Sequence, residues 1–181
     1  MADREGEMGA IDLIDWANWE PGEKAVVVYI TDPAAQKVLL INKLTGLGKG
    51  KVNAPGGRLE PGETYPQAAI RECQEEVSLS PLKPEKRMEL HFQFTSGYSL
   101  YGEAFFADSW EGEPAPSPEA EPFWCDLDKI PYDKMWEDDI HWLPQALGGK
   151  KLRGYFVFNE DTLMAYKIEE LDSYPSSPKY I

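Results

Sequence analysis

Cysteine is almost missing from this chain: there are two among 181 residues, Cys73 and Cys125. Cys73 falls inside a helical pattern with no cysteine nearby, so the sequence reads as having neither a disulfide framework nor a zinc site. Positive charge is scarce too. Lysine plus arginine number 18 against 32 aspartates plus glutamates, a formal net charge of −14. This balance argues against nucleic-acid polymers as partners, because their binding rests on Lys and Arg neutralising phosphates. It leaves room for a small phosphorylated ligand, since a bound metal inverts the local field. No apolar run approaches the roughly 18–20 residues that a membrane span needs, so no membrane partner is expected. The first residues, Met1 to Glu7, lack the basic start and apolar core of a secretory signal, which makes the cytoplasm the expected compartment. No internal repeat is visible.

What is present reads as one mixed α/β domain over 9–172, long enough to bury a core. Residues 1–8 read as disordered, and 173–181 as a flexible tail that frays after Asp172. Segments 24–31 and 37–42 read as strands around a turn with Asp32 and Pro33. Five glycines between 45 and 57 read as a mobile loop. Thr64 and Gln67 form a candidate capping box and Pro66 suits a first helical turn, so a helix is expected from there to about Val77. Ile70, Cys73 and Val77 make its apolar stripe, beside the glutamate face rather than mixed with it. Segments 88–95 and 100–107 read as a second strand pair, 111–122 as a Pro- and Glu-rich loop, and 122–127 as extended. A short helix is expected from Asp138 to Gly148–Gly149, then strands at 154–158 and 163–168. Trp16 and Trp19 either pack on the domain or line a partner surface.

The acidic helix is the most informative segment. Glu72, Glu75 and Glu76 stand at i, i+3 and i+4, neighbours on one helix surface. Such a cluster alone reads as a solvated face. If the three are held together, their repulsion calls for a hard divalent cation, Mg²⁺ first.

The wider spacing decides between these readings. Gly57, five residues, Glu63, seven residues, then Arg71-Glu72-Cys73-Gln74-Glu75-Glu76 resembles the Nudix box. Ser78 departs from it, standing where the family has glycine; a left-handed position there costs serine about 1 kcal/mol relative to glycine. The resemblance implies the Nudix fold, an α/β/α sandwich around a mixed sheet, and Mg²⁺-dependent hydrolysis of a nucleoside diphosphate linked to another group, with Mn²⁺ as the alternative ion. It implies Glu72, Glu75 and Glu76 as metal ligands, with a main-chain carbonyl of Gly56 or Gly57 as a further donor. Arg71 is implied to hold Glu63 or another box carboxylate. For the general base the candidates are Glu72 and Glu119, which would also reach the metal; Glu119 on its own reads as a solubilising loop charge.

Over roughly residues 24–170 the chain further resembles the MutT-like branch that hydrolyses oxidised purine nucleoside triphosphates. The run Met135-Trp136-Glu137-Asp138-Asp139 carries this likeness, together with Asn53 in the approach to the box. Val52 stands where a tryptophan is common, and Leu47 where relatives can have an aromatic. Read without the resemblance, Asp138 or Asp139 is a helix N-cap, Trp136 and Phe92 are core, Asn53 is a turn residue and Lys43 a solvated strand end. Under the resemblance, Trp136 gives a purine its stacking wall with Phe92 and Leu47 nearby, and base–aromatic stacking contributes about 1–3 kcal/mol. Asp138 and Asp139 accept the guanine N1–H and N2–H₂ donors, or share a proton and donate to O6. Asn53 reads the N7 edge, which oxidation at C8 converts from acceptor to donor, and Lys43 lines the pocket.

The implied activity is release of a nucleoside monophosphate and pyrophosphate, with water attacking the β-phosphorus and 8-oxo-dGTP as first substrate. The competing readings are a Nudix hydrolase of unmodified dGTP or GTP, of a nucleoside diphosphate sugar or of a dinucleoside polyphosphate. A binding module without catalysis is the reading from another class; such modules lose box glutamates, whereas Glu63, Glu72, Glu75 and Glu76 are all present here.

Overall fold

Alternation along one strand sets the layering of the molecule. In β1 (Glu23–Asp32), Val26, Val28 and Ile30 enter one hydrophobic cluster while Tyr29 enters another on the opposite face. Successive side chains of a strand point to opposite faces, and a strand apolar on both must be covered on both. The computed structural model describes residues 11–181 and supplies the two covers. Helix α1 (Tyr65–Val77) packs with Val26, Val28 and Ile30. Helix α2 (Asp139–Leu147) packs with Tyr29 through Trp142. The result is an α/β/α sandwich, as the resemblance to the Nudix box implies. The expected disorder of residues 1–8 lies outside the described residues.

The remaining strands are β2 (Lys37–Lys43), β3 (Val52–Asn53), β4 (Gly56–Arg58), β5 (Ser80–Pro81), β6 (Glu85–Phe94), β7 (Ser99–Ala107), β8 (Trp110–Glu111), β9 (Ala120–Asp126), β10 (Lys151–Asn159) and β11 (Thr162–Leu171). Eight of them join β1 in one nine-stranded mixed sheet in the order β11-β10-β6-β7-β1-β2-β3, with β4 on β1 and β9 on β2. The β1·β7 and β10·β6 pairs are parallel and the rest antiparallel. Strands β5 and β8 pair separately. No helix among the described residues is long and apolar enough to cross a membrane.

Three expectations need correction. The glycine-rich stretch 45–57 is not all loop: β4 pairs with β1 in the register Val26↔Gly57. The absence of side chains allows this close approach, since a Cβ on Gly56 would lie 2.1 Å from the Val26 carbonyl oxygen. The tail after Asp172 is docked rather than frayed. The Tyr174 hydroxyl bonds both the amide and the carbonyl of Leu152, and Tyr180 is buried. The third correction concerns α1. Ile70 is only half-buried, and Glu72 and Glu76 share the buried face with Ala68, Ala69 and Cys73 instead of standing beside it. Ala68, Glu72 and Glu76 repeat every four residues, one column on the helix surface, and the small alanines bring that column against the sheet. Trp16 and Trp19 pack on the domain: Trp16 lies 5.0 Å from Tyr155, and the Trp19 indole donates to Gln93 at 2.8 Å.

Candidate active site

The acidic helix is fixed at both ends. Thr64 accepts the Gln67 amide while the Gln67 side chain accepts the Thr64 amide, so the capping box is complete. At the other end Ser78 adopts φ 64°, ψ 24°, and its N–H reaches the carbonyls of Cys73 and Gln74. The serine thus takes the left-handed conformation for which glycine is the usual residue, and the helix still closes.

Arg71 organises the carboxylates. Its Nε donates to Glu63 Oε2 at 2.6 Å and its Nη2 to Glu63 Oε1 at 2.8 Å, a bidentate pair. Nη1 donates to Glu72 Oε1 at 2.8 Å and to Glu75 Oε2 at 3.1 Å, and Nη2 also reaches the Arg58 carbonyl at 3.0 Å. This arginine holds the Glu63 carboxyl below the usual range. Burial acts oppositely on the neighbours. It raises Glu72 despite Arg71, with Glu75 and Glu119 adding to the rise. It pushes Glu76 up to about 7, against the Gly56 N–H and the Lys43 charge, with Glu72 and Glu119 pushing the same way.

The backbone of β4 lies directly against these acids. The Gly56 N–H donates to Glu76 Oε2 at 3.3 Å, and a Cβ on Gly57 would come within 2.5 Å of the Glu72 carboxyl. Among the described residues no three His, Cys, Asp or Glu side chains converge on one point as a ready metal centre. Arg71 occupies Glu72 and Glu75 instead. In kind, however, the donors suit a hard divalent cation. They are all oxygens, they carry excess negative charge, and two are buried carboxylates whose ionised form burial disfavours.

The other end of the site is built by residues distant in sequence. Trp136 stands edge-to-face with Phe158 at 5.4 Å and Phe94 at 6.1 Å. The Lys51 ammonium lies 5.1 Å over its ring, and Gly48 abuts its indole nitrogen. Asp138 and Asp139 are 1 % and 5 % exposed. Asp138 is not a side-chain N-cap: its backbone is helical, and its Oδ2 accepts the Trp142 indole N–H at 2.8 Å. Asp138 Oδ1 and Asp139 Oδ2 are buried without a partner. Burial pushes Asp138 up to about 6, opposed by the Trp142 bond. Burial and the adjacent Asp138 charge push Asp139 well above the carboxylate range. Burial thus disfavours two charges here and favours a proton shared by the pair.

Both ends open into one cavity of about 590 Å³. Gly56, Gly57, Arg71, Glu72, Glu75, Glu76 and Glu119 line one part of it. Asn53, Phe92, Trp136, Asp138 and Asp139 line the other, with Leu47 at the rim, 46 % exposed. Lys43 lines the cavity and lowers Glu76, which associates it with the acidic end. Glu119 is exposed, and its charge nonetheless acts on both Glu72 and Glu76. Glu63 does not line the cavity; it stands behind Arg71. Asn53 Oδ1 accepts the Ala54 N–H at 2.8 Å, so part of its acceptor capacity is spent locally. Sequence reasoning missed Trp142 and Phe158. The spacing Asp138 to Trp142, one helical turn, was the available signal for the first.

A family model described as "NUDIX domain" matches residues 21–146. The oxidized purine nucleoside triphosphate hydrolase of Danio rerio is 41% identical over 148 residues, 81% of this chain and 94% of that protein. The mouse protein of the same name is 39% identical over 77% of this chain and 90% of its own length. Among solved structures, the MutT protein of Bacillus halodurans superposes with a TM-score of 0.71 at 26% identity, covering 81% of this chain and 97% of that one.

Proposed function

The chain belongs to the Nudix family, and from that premise we propose that it is a Mg²⁺-dependent pyrophosphohydrolase of purine nucleoside triphosphates, with 8-oxo-dGTP as the first substrate. Mn²⁺ is the alternative ion. The relatives named oxidized purine nucleoside triphosphate hydrolase support the substrate class. The observation that carries the reading is a single cavity with a buried acid pair at each end. Its volume falls within the range of about 300–1,000 Å³ typical of small-molecule sites.

At one end Glu72, Glu75 and Glu76, with Glu119 and the Gly56–Gly57 backbone nearby, are the residues that would hold the cation. A divalent ion there supplies charge neutralisation at the phosphates and a lowered pKa for attacking water. The chain's own groups do the rest. Arg71, clamped on Glu63, orients Glu72. Glu72 or Glu119 takes the proton of the water, and Lys43 offsets phosphate charge. At the other end Trp136 and Phe92 stack the base. Asp138 and Asp139, sharing a proton, accept guanine N–H donors through one carboxyl and donate to O6 through the other. The products are the nucleoside monophosphate and pyrophosphate, and the setting is cytoplasmic nucleotide-pool sanitation.

One observation favours a second substrate preference at the same site. Asn53 already bonds Ala54, and Leu47 is an open rim residue. Both weaken any reading of the C8 edge, which favours unmodified dGTP or GTP as good substrates beside 8-oxo-dGTP. The test is hydrolysis of 8-oxo-dGTP with Mg²⁺ in ¹⁸O-labelled water. Label in pyrophosphate is the expected result of attack at the β-phosphorus. Release of orthophosphate, or no turnover, would overturn the assignment.

A further inference from the structure

Helix α1 carries two buried carboxylates that repel one another. Its buried residues are Tyr65, Ala68, Ala69, Glu72, Cys73, Glu76 and Val77, so Tyr65 is the one large aromatic holding it down. Tyr65 is its first residue and is 4 % exposed. Its ring meets Tyr101 edge-on at 5.7 Å, and its hydroxyl donates to the main-chain carbonyl of Tyr180 at 2.8 Å.

The acceptor belongs to the docked tail. The Tyr180 ring lies 4.8 Å from Tyr101, and its own hydroxyl donates to the Trp19 carbonyl at 3.1 Å. The Lys24 ammonium reaches the Ile181 carbonyl. Tyr174 anchors the tail to Leu152 from its other side and lies under the Lys86 ammonium at 4.3 Å. Both Trp19 and Tyr180 lie outside the stretch 21–146 that matches the family model. The first turn of the acidic helix is therefore held by segments from outside that stretch.

We propose that Tyr65 is a positioning residue for the reaction: latched to the carbonyl of Tyr180, it sets the height and tilt of α1 and so the placement of Glu72 and Glu76 against Gly56 and Gly57. This rests on the assignment of those glutamates to phosphate-bond hydrolysis. Glu72 is seven residues from Tyr65, two turns on, about 10.5 Å along the same face. Clearance at that point is small, because the Glu72 carboxyl already occupies the space a Cβ on Gly57 would need. A tilt pivoting on the first turn moves this contact directly. Misplacement by about 1 Å is enough to cost on the order of 10²-fold in rate.

The test compares Tyr65→Phe, Tyr180→Ala and Tyr180→Phe by steady-state kinetics, Mg²⁺ titration and amide hydrogen exchange. Tyr65→Phe and Tyr180→Ala are expected to lower kcat by about tenfold with KM for the nucleotide within about twofold. Both raise the Mg²⁺ concentration for half-maximal rate and speed exchange across 65–77 while β6 and β7 keep their protection. Tyr180→Phe retains the ring and the accepting carbonyl, so it should match the wild type within about twofold. The double variant Tyr65→Phe/Tyr180→Ala should be no worse than the poorer single one, because both break one latch. Unchanged kcat and α1 exchange in Tyr65→Phe would overturn the proposal, as would exchange that speeds equally throughout the sheet. Should Tyr180→Ala fail to fold, the two phenylalanine variants decide. Absence of any nucleotide turnover in the wild type would remove the functional reading, and the exchange measurement would still read the latch.

Discussion

Two pairs of buried acids line one cavity, and their surroundings differ. Glu72 and Glu76 have Arg71, Lys43 and a backbone N–H about them, with two further carboxylates, Glu75 and Glu119, close enough to be felt. Asp138 and Asp139 have aromatic walls, one indole N–H and two unpartnered oxygens. Burial raises all four. The first pair sits beside exposed carboxylates, where, in the proposed reading, a cation would add oxygen ligands and relieve its charge. The second has aromatic walls and an indole N–H instead, so in the proposed reading a proton relieves it and converts one acid into a donor. On that reading the same residue chemistry gives a metal-binding end and a hydrogen-bonding end, and what decides is access to a counter-charge.

The largest effect that would break this contrast is at the metal end. Glu76→Gln should lower kcat by about 10²–10³-fold, the scale of losing one group that stabilises transition-state charge. It should also raise the metal-free melting temperature at pH 8, because a buried charge is removed while an oxygen remains for the Gly56 N–H. Unaltered kcat would end the metal assignment. Next is the base end. Asp138→Ala should reduce kcat/KM for purine nucleotides by about 10–100-fold, the loss of one or two bonds worth about 1–3 kcal/mol, and leave dCTP unaffected. An equal fall for both would make Asp138 a structural residue only.

The third test uses pH. Asp138 and Asp139 have folded pKa values above the unfolded value of 3.8, so their contribution to stability is full below that value and is lost as pH rises through about 6 and beyond. The melting temperature of the wild type relative to Asp139→Asn, without metal, should therefore be highest in acid and fall toward pH 8. A difference that stays flat would mean that the pair holds no proton. The smallest effect is at Ser78. Replacing it by Gly relieves the left-handed strain at φ 64° and should stabilise by about 0.5–1 kcal/mol, a rise of a few degrees in melting temperature measured by calorimetry.

The two ends were unequally legible. The metal end is written in local spacing: Glu72, Glu75 and Glu76 share a helix, the Thr64–Gln67 box marks its start, and Gly57 stands where no Cβ fits. Even there, the burial of Glu72 and Glu76 was hidden, because it depends on β4 passing beneath the helix, a long-range pairing that periodicity does not report. The base end is assembled from β3, β6, β10 and the approach to α2, and its side chains look like core or caps until the sheet brings them together. Asp138 illustrates the difficulty. Its place before α2 satisfies every sequence rule for an N-cap, and only the geometry turns its carboxylate toward Trp142. The docked tail was invisible for a similar reason, since Tyr174 and Tyr180 find their partners more than twenty residues away.

The central claim is that one end chooses the molecule and the other breaks its bond. It is tested most directly by kcat/KM for 8-oxo-dGTP, dGTP, dATP and dCTP with Mg²⁺, in the wild type and in Asp138→Ala. The account predicts that the wild type prefers the guanine nucleotides over dCTP by at least about tenfold, one hydrogen bond's worth, and that Asp138→Ala abolishes that preference while still releasing pyrophosphate. Equal use of all four by the wild type, or a preference that survives in the variant, would contradict it.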